Sequence, residues 1–328
     1  MRDSHIPILI CAYSRLEEFK NTLKLALDTG CQPIYVNLDG SSDPNIKQIQ
    51  DQIQSHVIEI SEINQKKKIL FRRANRNFGS AVSVISGIDW FFTNEEFGII
   101  VEDDLIFSSD LVDFAVWALD VYATHPDVWI ISGSNFFSEI KNSQNLMQCA
   151  NYPITWGWAT WAKKWQDIRF AIIESQGLPS GRIPHKVNTF WKTGAKRSRS
   201  GILDAWDIPL ANYMRRKNKV TLIPPVNLVS NIGFGDDATH TSKLGFPLNL
   251  PLEKLSAGFY AEQCVLESSF NTTDYNRYLE KYVYKISFKH NFSYLISFFD
   301  SFRFNFKFDV SLQQRISETK FTDFHYHL

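Results

Sequence analysis

Four short apolar runs, separated by helical patterns, constrain the first hundred residues of this 328-residue chain more than any other feature. Ile6–Ala12 is apolar throughout and of strand length, and Pro33–Leu38, Ile69–Phe71 and Ile99–Val101 repeat the pattern. Between them, Leu16–Thr29 sets Leu16, Phe19, Leu23 and Leu27 near helical spacing and closes on Gly30. Asn45–His56 keeps Ile46, Ile49 and Ile53 on one face, and Ser80–Phe92 reads as a third helix. Strand and helix alternating at this spacing imply βαβ units, hence an α/β fold with a mainly parallel sheet and helices on both faces. Right-handed crossovers bring the loops after Ala12, Leu38, Phe71 and Val101 to one rim. Further on, Ser109–Thr124 reads as a helix, Val128–Ser132 as a strand, Asn135–Asn151 as a polar loop, Ile208–Lys217 as a helix and Val220–Ile223 as a strand.

Composition narrows the class of function. Lys+Arg and Asp+Glu are both 35, so no global positive field exists to recruit nucleic acid. Cys11, Cys31, Cys149 and Cys264 form no close pair, which favours free thiols over a disulfide frame or a zinc site. Met1–Pro7 runs into the first strand without a signal-type apolar stretch, so a cytoplasmic protein is expected. From Tyr282 to Phe308 aromatic and basic residues mix. That segment reads either as a tail packed on the protein or a partner subunit, or as a peripheral contact with the inner face of an anionic membrane.

The residues able to carry chemistry lie on the rim. Glu102, Asp103 and Asp104 end the fourth strand, and three adjoining carboxylates need a cation or raised pKa values to be tolerated. Hard oxygen ligands suit Mg²⁺ or Mn²⁺, ions that commonly hold substrate phosphates as well. Ala12-Tyr13-Ser14-Arg15 opens the first helix, where backbone donors and Arg15 could meet phosphate or ribose. Asp39, before Gly40, is either a turn residue or an acceptor for the imide proton of a uracil ring. Arg72–Asn77 follows a rim strand, and Gly79 permits close backbone approach to a ligand. Lys66–Lys68 reads as a solvated loop. Trp156-Gly157-Trp158, with Trp161 behind it, is either core or a stacking platform for a sugar. Asp207 before a helical pattern is either an N-cap or a general base, and His240 sits in a glycine-broken loop as a metal ligand, phosphate partner or surface residue.

Taken in order, Pro7–Arg15, Leu38-Asp39-Gly40, Asn75–Gly79, Glu102-Asp103-Asp104-Leu105, Trp206-Asp207 and His240 resemble the GT-A fold of nucleotide-sugar glycosyltransferases over roughly residues 5–242. The pattern is similar to that of the N-acetylglucosaminyltransferase I family. Trp156–Trp158 and Gly233–His240 resemble segments of bacterial polysaccharide glycosyltransferases of the family 2 type. The resemblance implies a donor-binding half (1–107), an acceptor-binding half (108–245) and an aromatic-rich C-terminal extension (246–328). It implies that Asp39 meets the nucleobase and Asp103 the ribose or the metal through water, with Ala12, Tyr13, Arg15, Arg76, Asn77, Gly79 and Glu102 also at the donor. Asp104 would bind Mn²⁺ or Mg²⁺, helped by His240. Trp156, Gly157 and Trp158 would meet the acceptor, and Asp207 would take its proton. Ile208 stands where the family tends to carry a second acidic residue, so Asp204 and Asp237 stay open as rival bases. The expected activity is metal-dependent, inverting transfer of a sugar, with UDP-sugars such as UDP-GlcNAc favoured, to a glycan or lipid-linked acceptor in cell-surface polysaccharide synthesis. The rival readings are a sugar-nucleotide pyrophosphorylase, whose glycine-rich first loop is missing here, and a non-catalytic nucleotide-sugar or carbohydrate-binding protein. A metal-dependent phosphohydrolase would want acidic clusters on several strands. The chain could also form an oligomer.

Overall fold

The computed structural model describes residues 6–137, 146–174, 183–233, 250–262, 271–284, 286 and 310–327. Strands β1 (Ile8–Ala12) and β2 (Ile34–Leu38) are buried at every position. Ile8 and Ile10 join Phe19, Leu23, Ile53 and Val57 in one core, whereas Leu9 and Cys11 join Ile85, Ile88 and Phe91 in the other. A strand covered on both faces has no use for alternating polarity, which is why β1 is apolar without a break and β2 is interrupted only by Asn37, whose side-chain oxygen accepts from Arg72. Helices α1 (Leu16–Asp28) and α2 (Pro44–Ile63) supply the first layer, and α3 (Ser80–Phe92) supplies the second. Each buried Ile, Leu or Phe contributes about 1.5–3 kcal/mol.

Among the described residues the central sheet has nine strands. It includes β3 (Ile69–Ala74), β4 (Phe97–Glu102), β6 (Val128–Ser132), β7 (Gln148–Ala150), β8 (Trp158–Trp161), β9 (Val220–Ile223) and β11 (Phe324–His327), in the order β11-β3-β2-β1-β4-β8-β6-β9-β7. Strands β3, β2, β1 and β4 are parallel, as are β6 and β9; β11, β8 and β7 run antiparallel to their neighbours. The fold is therefore α/β with a mixed, mostly parallel sheet. After β3 the chain crosses to the far side of β1 to form β4, so the strand order reverses at the β1/β4 junction. Open α/β sheets bind ligands in the crevice outside the carboxyl ends of the strands at such a reversal. A second sheet pairs β5 (Leu105–Phe107) with β10 (Val229–Asn231).

The structure departs from the sequence reading where long-range pairing decides. Helix α2 continues to Ile63 because Val57 and Ile60 extend the stripe of Ile49 and Ile53 into the core, and Asp43 caps its start with Pro44 in the first turn. Strand β3 runs past Phe71 to Ala74 because β11 returns to pair with it. The buried Arg72 lies 4.8 Å from the Trp90 ring and 4.0 Å from the Phe324 ring and donates to Asn37 at 2.7 Å. Arg73 pairs with Asp51 at 2.6 Å. Most of that basic run is thus spent on the fold. The polar stretch expected as a loop contains β7, and the aromatic cluster after Gly157 forms β8, an interior antiparallel strand between β4 and β6. Helix α4 (Ser109–Val121) ends three residues before the expected boundary, while α5 (Ala162–Ile173) and α6 (His185–Arg199) carried no clear pattern. The sheet crosses the 107/108 boundary through the pairing of β4 with β8. Within the expected extension, residues 310–327 belong to the main body. Among the described residues, no helix is long and apolar enough to cross a membrane.

Candidate functional site

The acidic run lies at the end of β4, facing the start of α1 across the crevice. Thr22 anchors it by donating to the carbonyls of Asp103 (2.8 Å) and Leu105 (3.0 Å) from inside α1. Asp103 accepts the Tyr13 backbone N–H at 3.0 Å and faces Arg15 at 3.3 Å, and Arg15 donates to Asp104 Oδ2 at 2.7 Å. Both aspartates are buried, at 4% and 5% exposure. Asp104 Oδ1 is buried without a hydrogen-bond partner. An orphaned carboxylate oxygen in a dry site is costly and invites a cation or donor.

Burial is the main cause that raises the pKa values of Glu102, Asp103 and Asp104. Mutual repulsion adds to the first two, and Arg15 counteracts in all three. Burial works against the Arg15 charge as well, but Asp104, Asp103 and Glu102 outweigh it and hold that guanidinium above its ordinary pKa.

A second network joins the first through Tyr13. Its hydroxyl accepts from Asn77 Nδ2 at 3.0 Å, and Asn77 Oδ1 accepts the Gly79 N–H at 2.7 Å. Asp39 accepts from Gly40 (2.9 Å), Phe78 (3.0 Å) and Gly79 (3.1 Å), and burial pushes its pKa from 3.8 up to about 7 against those three bonds. Asp39 therefore braces the Phe78–Gly79 turn; a carboxylate has about four acceptor sites, so these three bonds leave capacity for one more. Gly79 has φ +78, the left-handed region that glycine tolerates, and Arg76 packs 4.7 Å over the Phe78 ring. Ala12, Tyr13, Arg15, Asp39, Arg76, Asn77, Gly79, Glu102, Asp103 and Asp104 thus share one rim.

The other expected residues divide. Trp206 is the cap residue of α7 (Asp207–Lys217) and Asp207 its first helical residue, so Asp207 is not the N-cap. Asp207 is partly buried, which raises its pKa, and it stands near enough to Glu102 and Tyr284 to raise theirs. Asp204, the first rival base, is 4% exposed and pairs with Arg315 at 3.1 Å. Trp158 is 1% exposed and stacks on Trp206 with ring centroids 5.7 Å apart, which makes it core and a support for the start of α7 rather than an open platform. Trp156 is half-buried against Phe136. Gly157 is glycine because a Cβ would meet Val229 Cγ2 at 2.6 Å. His240, Asp237 and residues 287–308 of the aromatic tail lie outside the described residues.

Gly233 faces the acidic run, and sequence reasoning gave it no role of its own. A Cβ there would lie 2.0 Å from Asp104 Oδ2. The backbone N–H of the preceding Ile232 donates to the Asp104 carbonyl at 2.9 Å, so β10 carries this residue directly onto the carboxylate. Only its place beside β5 shows this; the surrounding glycines look like loop punctuation.

The sequence matches no protein-family model, and no curated protein matches it.

The raised carboxyl pKa values have a consequence for stability. Asp39 binds its proton more tightly folded than unfolded, so its contribution is largest below pH 4 and is lost as pH rises toward about 7. Glu102, Asp103 and Asp104 act in the same direction. Lys164, lowered to about 7 by burial and by Lys219, opposes them only above pH 7. Metal-free protein is therefore expected to be more stable to urea at pH 5.5 than at pH 7.5, measured by equilibrium unfolding followed by circular dichroism.

Proposed function

We propose that the rim binds a nucleotide-sugar through its diphosphate and that the protein is a metal-dependent glycosyltransferase of the GT-A type. The observation that carries this reading is the meeting of Arg15 with the buried Asp103–Asp104 pair across the β1/β4 crevice, which leaves Asp104 Oδ1 unpaired. Among the described residues no group of three or more His, Cys, Asp or Glu side chains is arranged to hold a metal. One orphaned carboxylate oxygen, flanked by Glu102 and Asp103, suits instead an ion that keeps most of its ligands as water and phosphate oxygens. Asp104 would hold such a Mn²⁺ or Mg²⁺ ion, whose chemistry when bound is to offset charge on the leaving diphosphate.

The chain's own residues supply the rest. Tyr13, Asn77, Gly79 and Asp39 form the wall for base and ribose, and the remaining acceptor capacity of Asp39 suits the imide N–H of uracil. Arg15 lies within reach of a phosphate at the same carboxylates. Asp207, with its pKa raised, is suited to accept a proton from an acceptor hydroxyl. Attack from its side, opposite the diphosphate, inverts the anomeric centre. A glycan or lipid-linked acceptor fits this reading, as does action at the inner face of a membrane.

Thermal-shift screening of nucleoside diphosphates and nucleotide-sugars with Mn²⁺, followed by assay of UDP release, tests the proposal. Stabilisation by a UDP-sugar with slow Mn²⁺-dependent release of UDP is expected. Binding without release under any acceptor would favour a non-catalytic nucleotide-sugar-binding protein, and pyrophosphate-dependent cleavage would favour a pyrophosphorylase. Gly233→Ala drives a methyl group into Asp104 and is expected to weaken Mn²⁺–UDP binding by at least about tenfold, an effect of about 1.4 kcal/mol. Calorimetry of the purified variant measures it.

A further inference from the structure

The turn carrying Asn77 and Gly79 is gripped by the far end of the chain. Here α8 (Leu312–Glu318) packs against α3, and β11 pairs with β3 at the edge of the sheet. The Asn75 N–H donates to the Asp323 carbonyl at 2.9 Å. The Phe78 ring stacks on Phe324 with centroids 5.5 Å apart and planes 20° apart. The Arg315 guanidinium reaches the Phe78 carbonyl with Nη2 and pairs with Asp204 Oδ1 through Nη1 at 3.1 Å. Asp204 Oδ1 in turn accepts the Ala81 N–H at 3.4 Å. From the opposite side, Asp39 holds the N–H groups of Phe78 and Gly79. Asp204 is also three residues from Asp207 along the chain.

We propose that Arg315 is a positioning residue that sets the Phe78–Gly79 turn against the segment leading to Asp207, fixing donor pocket and base relative to each other. The proposal rests on the reading of the rim as a nucleotide-sugar site. A buried ion pair is poor evidence for a purely stabilising role, since apolar residues of similar volume often serve as well. What arginine adds is a planar fork that satisfies two acceptors on two separate segments at fixed geometry. Here one acceptor is the backbone of the donor turn and the other is the carboxylate ahead of α7. The Arg315 and Asp204 side chains are 8% and 5% exposed, so neither is free to wander. Asp39 and Asp204 repel one another, and Arg315 lies close enough to both to offset that repulsion.

Full-length Arg315→Met, Asp204→Asn and the double variant test this. Arg315→Met alone strands a buried carboxylate and loses stability under either role, so the double variant decides. Removing both charges is expected to restore most of the thermal stability. UDP binding in the presence of Mn²⁺ is nonetheless expected to stay about tenfold or more weaker than in wild type, the loss of one charge-assisted hydrogen bond. Amide hydrogen exchange over residues 75–81 is expected to stay faster than in wild type, and Arg315→Lys to fall between the two. A double variant with wild-type UDP affinity, or with wild-type exchange over 75–81, overturns the proposal. Should the wild-type protein bind no UDP, the nucleotide reading falls while the exchange measurement still decides whether Arg315 sets the turn.

Discussion

Asp104→Asn is expected to lower Mn²⁺-dependent turnover of the nucleotide-sugar by at least about a thousandfold while leaving the fold intact. The substitution keeps the shape and can keep a hydrogen bond from Arg15 to the amide oxygen. It removes the charge that would hold the cation where negative charge develops on the leaving group, and such electrostatic contributions cost about 10²–10³ in rate for even a single neutral donor. Stability is expected to move the other way or stay level. Asp104 is buried with its pKa raised, and neighbours Asp103 and Glu102 are raised further by its charge, so neutralising it relieves repulsion. A site that destabilises the fold in exchange for function shows this combination. UDP release and thermal melting on the same preparation measure both halves. Wild-type turnover in the variant would remove the metal role from Asp104.

The second large effect separates two carboxylates three residues apart. Asp207→Asn is expected to lower turnover by about two to four orders of magnitude, the scale for a lost general base, with UDP affinity and melting temperature near wild type. The proposed transfer rate of the wild-type protein is expected to fall as pH drops below the raised pKa of Asp207, and the residual rate of the variant to lose that limb. Asp204→Asn is expected to behave differently. Its partner Arg315 is buried, and breaking a buried pair from one side typically costs about 3–5 kcal/mol. Its signature is therefore a lowered melting temperature rather than a selective loss of turnover. Full activity in Asp207→Asn would place the base elsewhere, and Asp237 would then be the next residue to replace.

Much of the rim was legible because its residues sit at the ends of strands that announce themselves. Two-sided burial keeps β1, β2 and β4 largely apolar, and Tyr13 and Asp39 just after the first two and Glu102 at the end of the third are where the crevice opens. The division of labour within that rim was not legible. Whether Arg72 meets a phosphate or a pair of aromatic rings depends on Phe324, some 250 residues further along, and nothing near Arg72 records it. Asp204 and Asp207 look alike in sequence, and only the buried Arg315 tells them apart. Trp158 reads as a platform because glycine precedes it, yet the strand it opens lies between β4 and β6, where a tryptophan has no exposed face. Gly233 earns its place from a carboxylate 129 positions earlier in the chain, a contact created by the β5–β10 pairing.

A crystal grown with Mn²⁺ and UDP, with data collected at the manganese absorption edge, tests the central claim most directly. An anomalous peak within coordination distance of Asp104 Oδ1 is expected, with the diphosphate beside it and the uracil ring near Asp39. A bound diphosphate with no peak near Asp104, or a peak elsewhere on the protein, would contradict it.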